Sequence, residues 1–294
     1  MRVTTRMFSD QFLADLQKNL SAMYNVNEQL SSSKKVNRPS DDPAAMARIV
    51  GYRATLSSIG SYNSAITSAK SYLQSMDSAL NNLADLIQRG SELAISGANG
   101  SLNANDRLAW AKEASGLVDS AMGIANTRVN DRYIFAGYAS DQPPIDANGN
   151  FQGDSNRFDV AISQSINVAV NLPANEFFSS GGSPDNVMPA LTALKTALET
   201  NDTPGIQTAL GNLNAALEKV SQAQAEIGGR LNKLDAQEKY LADNEETTKT
   251  YLSSDQDADL AAVVSEFQQR QTALESLRTV SQKIFSSSLF DFMN

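Results

Sequence analysis

Apolar residues recur along most of this chain at intervals that alternate between three and four. Ile59, Tyr62, Ile66, Ala69, Leu73, Met76, Leu80, Leu83 and Ile87 keep the rhythm without a slip, and Gly90 and Ala94 extend it. One face of an α-helix repeats with this period, so the spacing predicts a long helix with one covered stripe. Asp42 is a natural N-cap, and Pro43 suits the first helical position, where its missing N–H costs nothing. A second helix is predicted after Asn105, with Trp110, Ala114, Leu117, Ala121 and Ile124 in line. A third is predicted from Thr203 as N-cap with Pro204 at its first position. It carries Ile206, Leu210, Leu213, Leu217, Val220, Gln224, Ile227, Leu231, Leu234 and Leu241, with Gly228-Gly229 the soft point. Heptads sustained this long predict helices packed along one another as a coiled coil.

Proline placement sets the organisation. Pro39 and Pro43 mark a joint near residue 40, and Pro143, Pro144, Pro173, Pro184, Pro189 and Pro204 break up the middle of the chain. Proline disrupts helix interiors, so the proline-free tracts between and after these groups are where long helices are permitted. A helix over 43–97 would be roughly 80 Å long, whereas a compact sphere of this chain length has a radius of gyration of only about 19 Å. The expected shape is therefore an elongated rod.

Between the helical tracts the period changes to two. Phe158, Val160 and Ile162 alternate with polar neighbours, as do Ile166, Val168, Val170 and Leu172. Asn148-Gly149 and Gly153-Asp154 signal turns, and Gly181-Gly182 with Pro184 closes the segment before helix resumes near Pro189. The reading is mainly α, with a small β-rich insert.

Both ends carry a single narrow seam. Leu13, Leu16, Leu20, Met23, Asn27 and Leu30 form one over residues 8–33. Leu260, Val263, Phe267, Leu274, Leu277 and Ile284 form the other, interrupted by Arg270 and Ser281. A lone helix with so slim an apolar face gains too little burial to offset its ordering entropy. The ends are expected to pair with each other and to order fully on assembly with neighbouring molecules. Three parts are expected: 1–42 with 253–294 as an inner terminal domain, 43–139 with 185–252 as a helical rod domain, and 140–184 as an outer β-rich insert.

Composition narrows the function. The chain has 294 residues and neither cysteine nor histidine. That leaves no material for disulfides, thiol or Ser-His nucleophiles, imidazole acid–base work or Cys/His metal sites. A net charge of −9 opposes nucleic-acid binding, which needs a basic footprint. No apolar run approaches the roughly 20 residues a bilayer requires, and the N-terminus shows no apolar core of a secretory signal. No nucleic-acid or membrane partner, no cofactor and no metal are expected.

Four stretches carry a family resemblance. Leu30-Ser31-Ser32-Ser33-Lys34-Lys35-Val36-Asn37-Arg38-Pro39-Ser40-Asp41-Asp42-Pro43 resembles the N-terminal signature of the flagellin superfamily. Tyr133-Ile134-Phe135-Ala136-Gly137 resembles its turn into the variable domain. Gly228-Gly229-Arg230-Leu231-Asn232-Lys233-Leu234 and Asp257-Ala258-Asp259-Leu260-Ala261 resemble its C-terminal signatures. The match spans roughly 1–140 and 190–294. Pro43, where flagellins usually have Ala, and the ending Ser288-Leu289-Phe290-Asp291-Phe292-Met293 resemble the members that join hook to filament. Ser33 departs from the family's usual Gly.

The resemblance implies a non-enzymatic structural component of the bacterial flagellum, a mechanical adaptor at the hook–filament junction and a platform for filament assembly. Implied partners are further copies in a ring, a hook-side hook-associated protein, flagellin on the distal side and an export chaperone. Implied localisation is extracellular, reached by type III export without a cleavable signal, for which a chain lacking cross-links is suited. The terminal seams, namely Leu13, Leu16, Leu20, Met23, Leu30, Leu260, Val263, Phe267, Leu274, Leu277 and Ile284, are the expected assembly interface. Asn37, Arg38, Pro39, Asp41, Asp42 and Pro43 are the expected joint motif, with Arg38 pairing with Asp41 or with an acid of a neighbouring copy.

Competing readings are specific. Flagellin itself is the alternative within the family. A carbohydrate-binding or hydrolysing insert would draw on Asp154, Asp159 and Glu176 or on Phe151, Phe158, Phe177 and Phe178, although packing is the plainer use of the rings. Asp255, Asp257, Asp259 and Glu266 match positions of a calcium loop, but Leu260 stands where that loop needs Gly, so helix capping explains the acids better. Asp41-Asp42 reads as capping rather than as a catalytic pair. The Asn-X-Ser/Thr triplets at Asn19, Asn99 and Asn201 read as chance without a secretory route.

Overall fold

Long helices occupy the predicted tracts. The computed structural model describes residues 2–100, 103–147, 149–178 and 183–290. In chain order the helices are α1 (Arg2–Ser32), α2 (Pro43–Gly97), α3 (Ala104–Ala125), α4 (Val187–Glu199), α5 (Thr203–Gln256) and α6 (Leu260–Phe290). Among the described residues, four short strands lie between α3 and α4: β1 (Arg128–Val129), β2 (Arg132–Tyr133), β3 (Asp159–Ala161) and β4 (Asn167–Ala169). Two compact units result, Met1–Ile59 with Asp243–Asn294, and Gly60–Ala242.

In the first unit α1 packs on α6. The end of α1 meets the start of α6, where Lys34 bridges Asp257, so the two helices run antiparallel. Beside them, Val36, Ala45 and Ile49 form a small buried cluster with Met46 and Leu252 packed against it.

In the second unit the α2 and α5 segments are also antiparallel. Lys70 reaches Asp235 at 2.7 Å and Glu238 at 2.8 Å, Asn81 receives a hydrogen bond from Gln224, and Gly97 lies beneath Ile206. The α2 seam is as spaced in the sequence, with Ile66, Leu73, Met76, Leu80, Leu83 and Ile87 fully buried. The α5 seam is displaced. Its buried line is Ile206, Ala209, Leu213, Ala216, Val220, Ala223, Ile227, Leu234 and Leu241, while the expected Leu210, Leu217, Gln224 and Leu231 are half-buried flanks. Alanine at alternate layers lets helix axes approach more closely than leucine would. α4 reaches α2 because Gly97 has no side chain: a Cβ there would stand 2.7 Å from Leu198 Cδ2.

Two helix starts differ from expectation. α3 begins at Ala104, ahead of Asn105, and Asn103 caps it, completing a capping box with Asp106. The carbonyl of Asp202 accepts the first turn bond of α5 from Ile206 N at 2.9 Å, so Asp202 is the cap and Thr203 the first helical residue. Buried Arg107 ties these ends together. Its Nε donates to Gly97 O at 2.8 Å, its Nη2 to Asn99 O at 2.9 Å and its Nη1 to the Asn201 side-chain oxygen. The Gly97 carbonyl so served is one of those a helix leaves unpaired at its C-terminus, and Asn99 lies just beyond that end.

The middle segment holds two antiparallel hairpins, β1–β2 and β3–β4. Asn130 and Asp131 both have positive φ (50° and 63°), the two-residue turn that matches strand twist. Val168, Val170 and Leu172 are buried as their alternation predicted, whereas Phe158 is 48% exposed. Ile145 bridges Phe151 across the expected turn, where Gly149 takes φ 81°; Asn148, Gly181 and Gly182 lie outside the described residues.

Candidate functional site

Two short connections, 33–42 and 257–259, meet in the first unit, and the predicted joint motif occupies one of them. Two backbone hydrogen bonds tie them. Lys35 N donates to Gln256 O at 2.8 Å and Ala258 N donates to Ser33 O at 3.0 Å, and together they make the antiparallel bridge that sets Lys34 opposite Asp257. Lys35 Nζ adds a bond to Ser254 O at 2.7 Å. Ser33 ends α1 in the left-handed conformation, φ 58°, where glycine is at ease and serine is strained.

Each acid of the motif has a backbone task. Asp41 Oδ2 accepts from Arg38 N at 2.8 Å and Asn37 N at 3.0 Å, closing a tight loop. Those bonds, the one from Arg38 foremost, hold its carboxyl below the ordinary aspartate value. Asp42 Oδ1 accepts from Ala44 N and Ala45 N, capping α2 with Pro43 at the first position, as expected. Both acids are thus engaged by backbone N–H groups, Asp41 in the loop and Asp42 as the helix cap. Within the chain, the Arg38 guanidinium pairs with Glu28 at 2.9 Å rather than with Asp41, which the residue meets through its backbone N–H. Asn37 Nδ2 donates to Lys34 O, while Pro39 is exposed on the turn.

The opposite side is fastened by ion pairing. Arg48 grips Asp255 through two bonds, Nε to Oδ2 at 2.7 Å and Nη2 to Oδ1 at 3.0 Å, and this contact lowers the Asp255 pKa. Arg53 donates to Gln256 Oε1, and Tyr52 leans on Tyr251 with ring centroids 6.0 Å apart. The acids of the calcium alternative are used differently. Asp257 accepts from Ser253 Oγ at 2.6 Å, Asp259 caps α6 through Ala261 N and Ala262 N, and Glu266 pairs with Arg270.

Above the joint, pairing of α1 with α6 covers the seams only in part. Val26 and Val263 are buried. Leu16, Met23, Leu30, Phe267, Leu274 and Leu277 are half-buried, while Leu13 (51% exposed), Leu20 and Leu260 stay open to solvent. The side chain of Ile284 lies outside the described residues. The covered line on α1 runs Phe12, Leu16, Asn19, Met23, Val26, Leu30. Sequence reasoning missed Phe12 and Val26 because polar Asn19 interrupts their three-four spacing.

The insert's rings divide in two. Phe135 meets Phe177 and Phe178 edge-on at 5.8 and 5.6 Å, and all three are buried. Gly137 (φ 70°) lets Asp154 close against the backbone: a Cβ there would lie 2.2 Å from Asp154 Oδ1. Asp154 accepts from Ala139 N and Asn156 N, and Glu176 pairs with Arg157, so two of the three insert acids serve the fold. Among the described residues no helix is long and apolar enough to cross a membrane.

Comparison with known proteins agrees with this architecture. The bacterial flagellin N-terminal helical region matches residues 3–140. Flagellar hook-associated protein 3 of Salmonella typhimurium is 27% identical over 99% of both chains, and flagellin of Listeria monocytogenes is 24% identical over 96% of both. The flagellar junction protein of Legionella pneumophila shares the fold, with a TM-score of 0.59 and 18% identity over 71% of this chain and all of its own. Residues 3–140 thus match the bacterial flagellin N-terminal helical region, and from end to end the chain is similar to flagellar hook-associated protein 3 of Salmonella typhimurium.

Proposed function

We propose that this chain is a non-enzymatic structural subunit of the hook–filament junction of the bacterial flagellum. Its work is mechanical: it adapts the hook to the filament and offers the platform on which filament grows. The observation that carries the reading is the terminal helix pair, which leaves Leu13, Leu20, Leu260, Val264 and Val280 exposed after α1 and α6 have packed. Apolar side chains left open along paired helices favour burial by further molecules. The likeness to hook-associated protein 3 over the full length points to the flagellum as the setting, and it exceeds the likeness to flagellin.

In this reading 1–42 with 253–294 forms the inner assembly domain, 43–139 with 185–252 the middle, and 140–184 the outer insert. Copies form a ring between a hook-side hook-associated protein and flagellin. The protein reaches the cell exterior through the flagellar export channel without a cleavable signal, with an export chaperone as a further partner.

A deletion strain tests this. Cells lacking the chain should carry bare hooks and shed flagellin monomers into the medium, and the full chain supplied from a plasmid should restore filaments. Intact filaments in the deletion strain would sink the proposal. Hooks that make no flagellin at all would favour the filament-subunit alternative.

A further inference from the structure

The Gly60–Ala242 unit contains a cleft of about 380 Å³ between α2 and the β insert. Ser68 and Tyr72 of α2 line one side, and Tyr138 and Phe158 line the other. These two rings meet edge to face at 6.2 Å yet stay 58% and 48% exposed, so the insert's own core does not consume them. Arg132 also lines the cleft beside Tyr72, and among the described residues its guanidinium has neither an ion-pair nor a hydrogen-bond partner. An apolar cleft with an uncompensated cation favours a slim acidic occupant. This chain, with 33 acidic residues against 24 basic, is rich in acids.

α3 presents such a shape. Gly116, Asp119 and Gly123 are exposed and share one helix face at intervals of three and four. A Cβ built at Gly116 or Gly123 would meet nothing within 4 Å, so the strip is both narrow and open. The Asp119 carboxylate likewise has no ion-pair or hydrogen-bond partner among the described residues.

We propose that the α3 strip of one copy seats in the α2–insert cleft of the next copy, with Asp119 facing Arg132. Tyr138 and Phe158 flank the glycine strip and keep water from the charge pair, which strengthens it. Cleft and strip are different surfaces, so the contact is heterologous. Such a contact propagates from copy to copy and closes into a ring when the rotation permits. The inference rests on the junction reading, which sets copies side by side.

The chain has no cysteine, so engineered ones report cleanly. Ser140→Cys, lining the cleft, and Ser120→Cys, beside Asp119, are placed together in the full chain and expressed in the deletion strain. Mild oxidation should give a ladder of linked copies that neither single variant gives. Asp119→Arg added to this pair should abolish the ladder, and Arg132→Glu added to both should restore it. Circular dichroism checks that each variant is folded. Absence of the ladder in cells whose filaments are retained would overturn the cleft contact while leaving the junction reading intact. Dimers alone, or a ladder indifferent to Asp119→Arg, would overturn it equally. Failure of the unmodified chain to restore filaments instead removes the reading beneath.

Discussion

Ser33 shows how much one backbone angle can matter in this chain. Its φ of 58° is a conformation that costs a non-glycine residue about 1–2 kcal/mol, partly offset by the greater freedom of an unfolded glycine. Ser33→Gly should therefore stabilise the joint by about 0.5–1 kcal/mol, read as a higher urea midpoint at unchanged slope. A lower midpoint would mean that the serine hydroxyl contributes more than its backbone costs. Residue-level roles were legible where geometry follows from local sequence: Asp42 as cap needed only Pro43 after it. The long-range roles were not. Nothing in the sequence connects Arg48 to Asp255 or Arg107 to Asn201, because such pairs are set by tertiary packing rather than by spacing.

At the scale of elements, the period of the apolar positions located every long helix, and its failure on α5 is instructive. Leucines stood at one three-four register and alanines at another, and size suggested the leucines. Close helix approach selected Ala209, Ala216 and Ala223 instead. Ala216→Leu should overpack that seam and cost about 1–3 kcal/mol in thermal or chemical unfolding. An effect near zero would mean that the helices can spread without penalty. The joint behaves as an element in its own right under acid. Asp255 and Asp41 both titrate below the ordinary aspartate value of 3.8, so their contribution is present above it and is lost as pH falls through their lowered values. Melting temperature measured from neutral toward about pH 3 should fall on the acid side. Asp255→Asn should lie below the parent at neutral pH and converge with it in acid. Parallel curves throughout would show that the Arg48 contact is not the acid-sensitive one.

At the scale of the whole molecule, the terminal pair and its half-covered seams predict a difference between free and assembled protein. Amides of residues 8–33 and 260–281 should exchange quickly in dilute solution and slow at least tenfold on assembly, as expected where few apolar contacts guard the backbone. Equal protection in both states would mean that α1 and α6 need no neighbours. The backbone tie between Lys35 and Gln256 has a kinetic corollary. Its two strokes of chain lie more than two hundred positions apart in covalent order, so closing it incurs a late loop-entropy cost. A polypeptide delivered gradually from one end cannot fasten this clasp until nearly all of it has arrived. Premature locking during delivery is thereby forestalled by connectivity alone.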